Sequence, residues 1–214
     1  MALLEARDLH CVRGERTVFA GLGLALEAGE ALLLVGSNGS GKSSLLRLLA
    51  GLLKPAAGSI LWQGRDVAEE PERHRARLAY VGHQDPVKPV LTVRENLLFW
   101  TLLKGGDPAA VPAAMARFAL DGLAEVPGRM LSAGERRRLN LARLLAAPAP
   151  LWLLDEPTVG LDKASVAALE AVLAEHGRAG GLALIATHLP LALAPARELA
   201  LAAFAGADED QAAA

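Results

Sequence analysis

The chain reads as an α/β protein with a mainly parallel core sheet, and three observations predict it. Ala31-Leu32-Leu33-Leu34-Val35 has the pattern of a buried strand; it runs into the glycine-rich stretch Gly36 to Gly41 and then into an apolar-periodic helix from Lys42, stopped by Gly51 with Pro55 beyond. Leu151-Trp152-Leu153-Leu154 and Leu182-Ala183-Leu184-Ile185-Ala186 are continuous apolar runs, as in parallel strands covered on both faces. Ahead of these two runs, from 92 to about 147, the pattern changes to helix.

The elements run in order along the chain. Leu3 to Arg7, Thr17-Val18-Phe19 and Leu22 to Leu26 are short strand patterns separated by turns at Gly14 and Ala28-Gly29, which predicts an N-terminal antiparallel β subdomain. Ser59 to Gln63 is a strand closed by Gly64, and Leu78 to Val81 is another, succeeded by the polar loop Gly82-His83-Gln84-Asp85. Thr92-x-x-Glu95 is a capping box ahead of Leu97-Leu98-Phe99-Trp100, and Pro112 to Leu123 reads as a second helix. Ser132-x-x-Glu135 is another capping box, and the helix it starts carries Arg136-Arg137-Arg138, expected to form a solvated face. The expected organisation is one domain over 1–205, with a core of about 1–86 and 145–205, a helical insert of about 87–144, and a disordered acidic tail at 206–214.

Composition narrows the class. With 214 residues, 52% hydrophobic and 21% charged, the chain is expected to be globular with a substantial core. Mean hydropathy is +0.29, yet no run of 18 apolar residues exists without a charge; the best candidate, Leu189 to Ala207, is interrupted by Arg197 and Glu198. Met1 to Glu5 lacks the basic start of a signal peptide. The single cysteine, Cys11, rules out an internal disulfide and reads as a small buried apolar residue. A net charge of −2 gives no general field toward nucleic acid, so no nucleic-acid partner is expected.

The polar residues at strand ends carry the chemistry. Gly36, Ser37, Asn38, Gly39, Ser40, Gly41, Lys42, Ser43 and Ser44 have the spacing glycine, four residues, Gly-Lys-Ser. Such a loop presents backbone N–H groups to phosphate at a helix N-terminus; the lysine meets the outer phosphates and the serine hydroxyl suits Mg²⁺. Asp155 is placed to hold Mg²⁺ from the other side, and Glu156, one residue on, to activate an attacking water. In open α/β sheets ligands gather beyond the carboxyl ends of the strands. Gly36, Gln84, Asp155-Glu156 and Thr187-His188 all come at the ends of strands and should converge on one edge. Ser132 and Gly134 start a second helix able to grip phosphate.

The order Gly36–Ser43, Gln84, Leu131 to Glu135, Asp155-Glu156, Gly160-Leu161-Asp162 and His188 resembles the ATP-binding-cassette (ABC) family of P-loop nucleotide hydrolases over about residues 3–204. The resemblance implies an ATP hydrolase in which Ser43, Gln84 and Asp155 ligate Mg²⁺, Glu156 is the general base and His188 contacts the γ-phosphate. It also implies a homodimer of ATPase chains. Ser132, Gly134 and Glu135 would reach the nucleotide on the second copy, and Asp162 would link the two sites. Cys11-Val12-Arg13, Leu61-Trp62-Gln63-Gly64, Gly82-His83, Lys88 and Glu95-Asn96-Leu97 are similar to the haem-exporter ATP-binding subunits of cytochrome c biogenesis. That narrower likeness implies a peripheral place on the cytoplasmic face of the inner membrane, an integral membrane permease subunit as partner, and haem-handling maturation proteins nearby. An exporter of a lipoprotein or a small solute stays open, because the membrane partner sets the substrate. The segment from Lys88 to Trp100 is expected to dock that partner. The sequence departs from the family's pattern at Arg13, where an aromatic usually stacks on adenine, at Ala133, where glycine is commoner, and at Glu135, where glutamine is common.

Overall fold

The computed structural model describes residues 2–193 and 196–205. The tail read as acidic and disordered, at 206–214, lies outside the described residues.

Two sheets and a helical flank make up the chain. Strands β1 (Leu4–Arg13), β2 (Arg16–Leu26), β4 (Ala57–Trp62) and β5 (Arg65–Asp66) form an antiparallel sheet in the order β2-β1-β4-β5. Strands β3 (Ala31–Val35), β6 (Leu78–Val81), β7 (Leu151–Asp155), β8 (Leu182–Ala186) and β9 (Ala196–Ala200) form a parallel sheet in the order β6-β7-β8-β3-β9. The helices are α1 (Lys42–Leu49), α2 (Pro71–Ala76), α3 (Val93–Leu103), α4 (Val111–Arg117), α5 (Ala133–Ala146) and α6 (Lys163–Arg178).

The alternation of side chains along a strand explains the continuous apolar runs. On β7, Leu151 and Leu153 enter one core with α1 and the antiparallel sheet, while Trp152 and Leu154 enter a second core with α3 to α6. On β8, Leu182 and Leu184 take the first side and Ala183 and Ile185 the second. Every residue of both strands is buried, and the one polar side chain among them is Asp155, at the carboxyl end of β7. Cys11 sits in the first core, 1% exposed, as a small apolar residue would.

Three elements differ from their sequence reading. The two short strands at 17–26 are one strand, β2, whose pairing with β1 shifts register three times. The expected helix 112–123 ends at Arg117, because Ala119 turns left-handed at φ 50° and a short 3₁₀ turn comes next at Asp121–Leu123. Strand β9 pairs parallel to β3 at the sheet edge although its sequence, Ala-Arg-Glu-Leu-Ala, carries no strand pattern. All strands of the parallel sheet point one way, and the register sets Leu34, Ala186 and Asp155 in a row. The loops leaving these strands therefore emerge at a common edge.

Candidate active site

The glycine loop is built by exclusion of side chains. Gly41 adopts φ 98°, and a Cβ there would lie 2.6 Å from Val18 Cγ1 and 3.1 Å from Phe19. A Cβ on Gly36 would lie 2.8 Å from Ser40 Oγ. Larger residues would therefore push the loop off β2 or open it. Lys42 is 6% exposed and its Nζ donates to the carbonyls of Gly36 (2.7 Å) and Ser37 (3.1 Å). Ser40 Oγ is buried without a protein partner, in a loop whose shape suits an anion.

Around this loop lies a cleft of about 430 Å³, lined by Asn38 to Ser44 with Val18, His83, Glu156, Val159 and His188. Ser43 Oγ donates to Asp155 Oδ1 at 2.9 Å, with Asp155 3% exposed. A hydroxyl beside a carboxylate at the mouth of a phosphate loop is a hard oxygen donor set of the kind Mg²⁺ takes. Glu156 comes next at φ 49°, a left-handed conformation that costs a non-glycine residue about 1–3 kcal/mol and persists only when its surroundings hold it. The backbone N–H of Glu156 donates to Ala186 at 2.8 Å. The carboxylate Oε2 accepts from the His188 backbone N–H (3.3 Å) and lies 2.8 Å from His188 Nδ1. Glu156 and His188 thus form one unit across the ends of β7 and β8.

The structure brings Gly36–Ser44, Asp155, Glu156 and His188 together. Gln84 lies on the adjoining loop and is exposed, and the neighbouring His83 lines the cleft. Ser132, Gly134 and Glu135 do not line this cleft; they form the start of α5, where Ser132 Oγ accepts from Glu135 N–H (3.3 Å) and Glu135 Oε2 accepts from Ser132 N–H (2.7 Å) and Oγ–H (2.7 Å). Those bonds, the hydroxyl first and the backbone N–H second, hold the Glu135 carboxyl below its ordinary value. Asp162 caps α6, accepting from Ser165 N–H at 2.8 Å.

Residues 19–159 match the ABC transporter family. The chain belongs to that family. It is similar to the cytochrome c biogenesis ATP-binding export protein CcmA of Paramagnetospirillum magneticum, at 60% identity over 210 residues, covering 95% of this chain and 96% of the relative. The protein of the same name from Rhodospirillum rubrum is 58% identical over 204 residues, covering 95% of this chain and 88% of its own. A solved ATP-binding subunit of an ABC transporter shares the fold with a TM-score of 0.81 and 28% identity, over 87% of this chain and 80% of its own. This ABC ATPase is accordingly a nucleotide-binding, ATP-hydrolysing subunit of a transporter, of the cytochrome c biogenesis type. No helix among the described residues is long and apolar enough to cross a membrane.

The run Arg136-Arg137-Arg138 departs from its expected solvated exposure. Arg136, Arg137 and Arg138 do not make a solvated face of the ABC ATPase: Arg137 is 4% exposed, and Arg138 donates to the carbonyls of Phe118 and Ala119 at 2.9 Å each. Helical spacing puts Arg137 on the stripe of Asn140, Leu141 and Leu144, which are all buried. Sequence reasoning also missed Val18 and His83 as cleft residues. His83 had a usable signal, its place one residue before Gln84 after a buried strand; Val18 had none, being one apolar residue in a strand pattern.

Proposed function

We propose that this ATPase binds ATP with its phosphates on Gly36–Ser44 and uses Glu156 as general base. The observation that carries the reading is that the Ser43–Asp155 pair and the Glu156–His188 pair border the same phosphate-loop cleft. The loop N–H groups and Lys42 would hold the β- and γ-phosphates. Ser43, Asp155 and Gln84 would hold a Mg²⁺, which when bound neutralises charge on the phosphate oxygens. Glu156 takes a proton from water as the water oxygen bonds to the γ-phosphorus and ADP departs, a role worth about 10²–10⁴ in rate. His188 fixes the carboxylate and faces the γ-phosphate.

Ser132, Gly134 and Glu135 stand outside their own cleft, which supports a pair of ATPase chains in which each α5 start serves the nucleotide of the other copy. The insert carries the exposed apolar side chains Val90 (73% exposed), Leu102 (58%) and Leu103 (62%) together with Phe99, and Lys88 Nζ lies 4.3 Å over the Phe99 ring. Exposed apolar side chains of this size on the insert support docking of an integral membrane permease subunit, with the ATPase peripheral at the cytoplasmic face of the inner membrane. Likeness to the cytochrome c biogenesis export proteins supports haem export, or release of a haem-loaded chaperone, as the work done.

Glu156→Gln tests the assignment. With ATP and Mg²⁺ it should keep binding, lose at least about 100-fold in hydrolysis, and elute as a dimer; cells carrying only this form should lack c-type cytochromes and keep b-type ones. Normal hydrolysis would remove the base. Lost hydrolysis with normal c-type cytochromes would remove haem and leave an exporter of a lipoprotein or small solute.

A further inference from the structure

The geometry points to Arg137 as a positioning residue for Glu156, itself set in place by Asp85. The inference rests on the reading of Glu156 as the general base. Arg137 uses all five of its N–H groups. Its Nε donates to Pro157 O (3.2 Å), Nη2 donates to Asp155 O (3.0 Å) and Glu156 O (2.6 Å), and Nη1 donates to Gly82 O (2.9 Å) and Asp85 Oδ1 (3.0 Å). Three of these acceptors are the consecutive carbonyls of the turn that carries the base. The other two belong to the loop that carries Gln84 and His83. One planar group therefore ties the catalytic turn to the loop after β6.

The need for such a tie is visible in the backbone. Glu156 is left-handed, so relaxation of its φ would rotate the peptide on either side and swing the carboxylate away from His188. Arg137 holds the carbonyls at both ends of that residue, Asp155 O before it and Glu156 O at it. A lysine at 137 would keep the charge but not the fork, and could not reach five acceptors spread over two loops. Asp85 orients the fork. Its Oδ1 also accepts from Asn140 Nδ2 at 2.6 Å, Asn140 Oδ1 accepts from Arg143 Nη1 at 2.7 Å, and the Arg143 guanidinium lies 4.0 Å over the Trp100 ring on α3. The pair Arg137–Asp85 is thus the inner end of a bonded series that reaches the insert. Burial of the pair, 5% and 18% side-chain exposure, keeps water from substituting for either partner.

A rate cycle on the full-length chain separates positioning from plain packing. Arg137→Lys and Asp85→Asn are each measured alone and combined with Glu156→Gln, for Mg-ATP hydrolysis and for binding of a fluorescent ATP analogue. Arg137→Lys should lower kcat about 10- to 100-fold, the cost of a misplaced catalytic group, and Asp85→Asn about 3- to 10-fold. KM and analogue binding should stay within about twofold. In the Glu156→Gln background neither substitution should move the residual rate by more than about twofold, because the group being positioned is gone. The same losses in both backgrounds, or a raised KM with unchanged kcat, would overturn the role of Arg137. If Arg137→Lys does not fold, the Asp85→Asn cycle decides by the same criterion. A wild-type rate in Glu156→Gln alone removes the base assignment, and the positioning role falls with it; that outcome is read from the single variant and is distinct from equal losses in both backgrounds.

Discussion

Helices α3 and α5 begin with the same chemistry and come to different ends. Both have a hydroxyl N-cap, Thr92 or Ser132, and a glutamate three residues on, Glu95 or Glu135, and both capping boxes are closed in both directions. At α3 the chain itself covers the helix start. Val93 N–H donates to Val126 O (3.0 Å), Arg94 N–H donates to Ala124 O (3.1 Å), and Thr92 bridges Pro127. At α5, Ser132 and Ala133 are exposed, and the N–H groups of Ala133 and Gly134 meet no acceptor among the described residues. A capping box states that a helix starts; whether its dipole and free donors are spent at home or kept for an anion depends on what packs in front of it. The closed start is scaffold of the insert, and the open one is the part proposed to act on a second copy's nucleotide.

The largest effect that should divide the two starts comes from charge at the second helical position. Gly134→Asp puts a carboxylate among the free donors of α5, and its Cβ would lie 3.0 Å from Gly160 O. ATP hydrolysis should fall by about 100-fold or more, as when oxyanion donors are lost. Arg94→Asp places the same group at the same position of α3 and should leave hydrolysis unchanged, because only an exposed pair with Glu125, at 49% and 77% exposure, is lost. Steady-state hydrolysis of the two variants side by side checks this. Equal losses would mean that the open start has no special role.

A smaller and sharper contrast comes from removing each cap. Thr92→Ala and Ser132→Ala should each cost about 1 kcal/mol of stability by urea unfolding, since each hydroxyl accepts from an N3 amide. Only Ser132→Ala should also slow hydrolysis, by about tenfold, the worth of one hydrogen bond to a charged oxygen. A matched loss of rate in Thr92→Ala would show that helix stability, not the exposed hydroxyl, carries the effect.

The contrast also marks where sequence reading stops. The phosphate loop, β7, β8 and both capping boxes are local signals: each is written in fewer than a dozen consecutive residues, and local rules suffice to find them. Arg137 could not be found that way. Three arginines in a row look solvated, and the partners that bury the middle one, Gly82, Asp85 and Asp155 to Pro157, stand 18 to 55 positions away. Strand β9 escapes for a similar reason, since its place comes from pairing with β3 and not from its own alternation. The join of 17–19 and 22–26 into β2 depends on irregular pairing with β1, which the pattern of either piece does not show.

The smallest expected effect concerns the glutamate of the open start. Ser132 holds the Glu135 carboxyl below its ordinary value of 4.5, through its hydroxyl first and its backbone N–H second. A carboxyl whose folded value is depressed adds stability that is fully present above the unfolded value and is lost as pH falls through the folded one. Glu135→Gln keeps an acceptor for the cap and removes the charge. From pH 7 down to about 5.5 the wild type should therefore exceed this variant by a constant amount, only a few tenths of a kcal/mol because solvent and salt screen an exposed group. Below the ordinary carboxyl value the margin should close, since the wild-type side chain becomes neutral as well. Urea midpoints at half-unit pH steps measure it. Hydrolysis should stay within about twofold of wild type, because the amide preserves the reciprocal cap on Ser132. A margin that holds to the acid end would show that Glu135 acts through shape and not charge; a large loss of hydrolysis would show that its charge, and not only the cap it closes, matters at the open start.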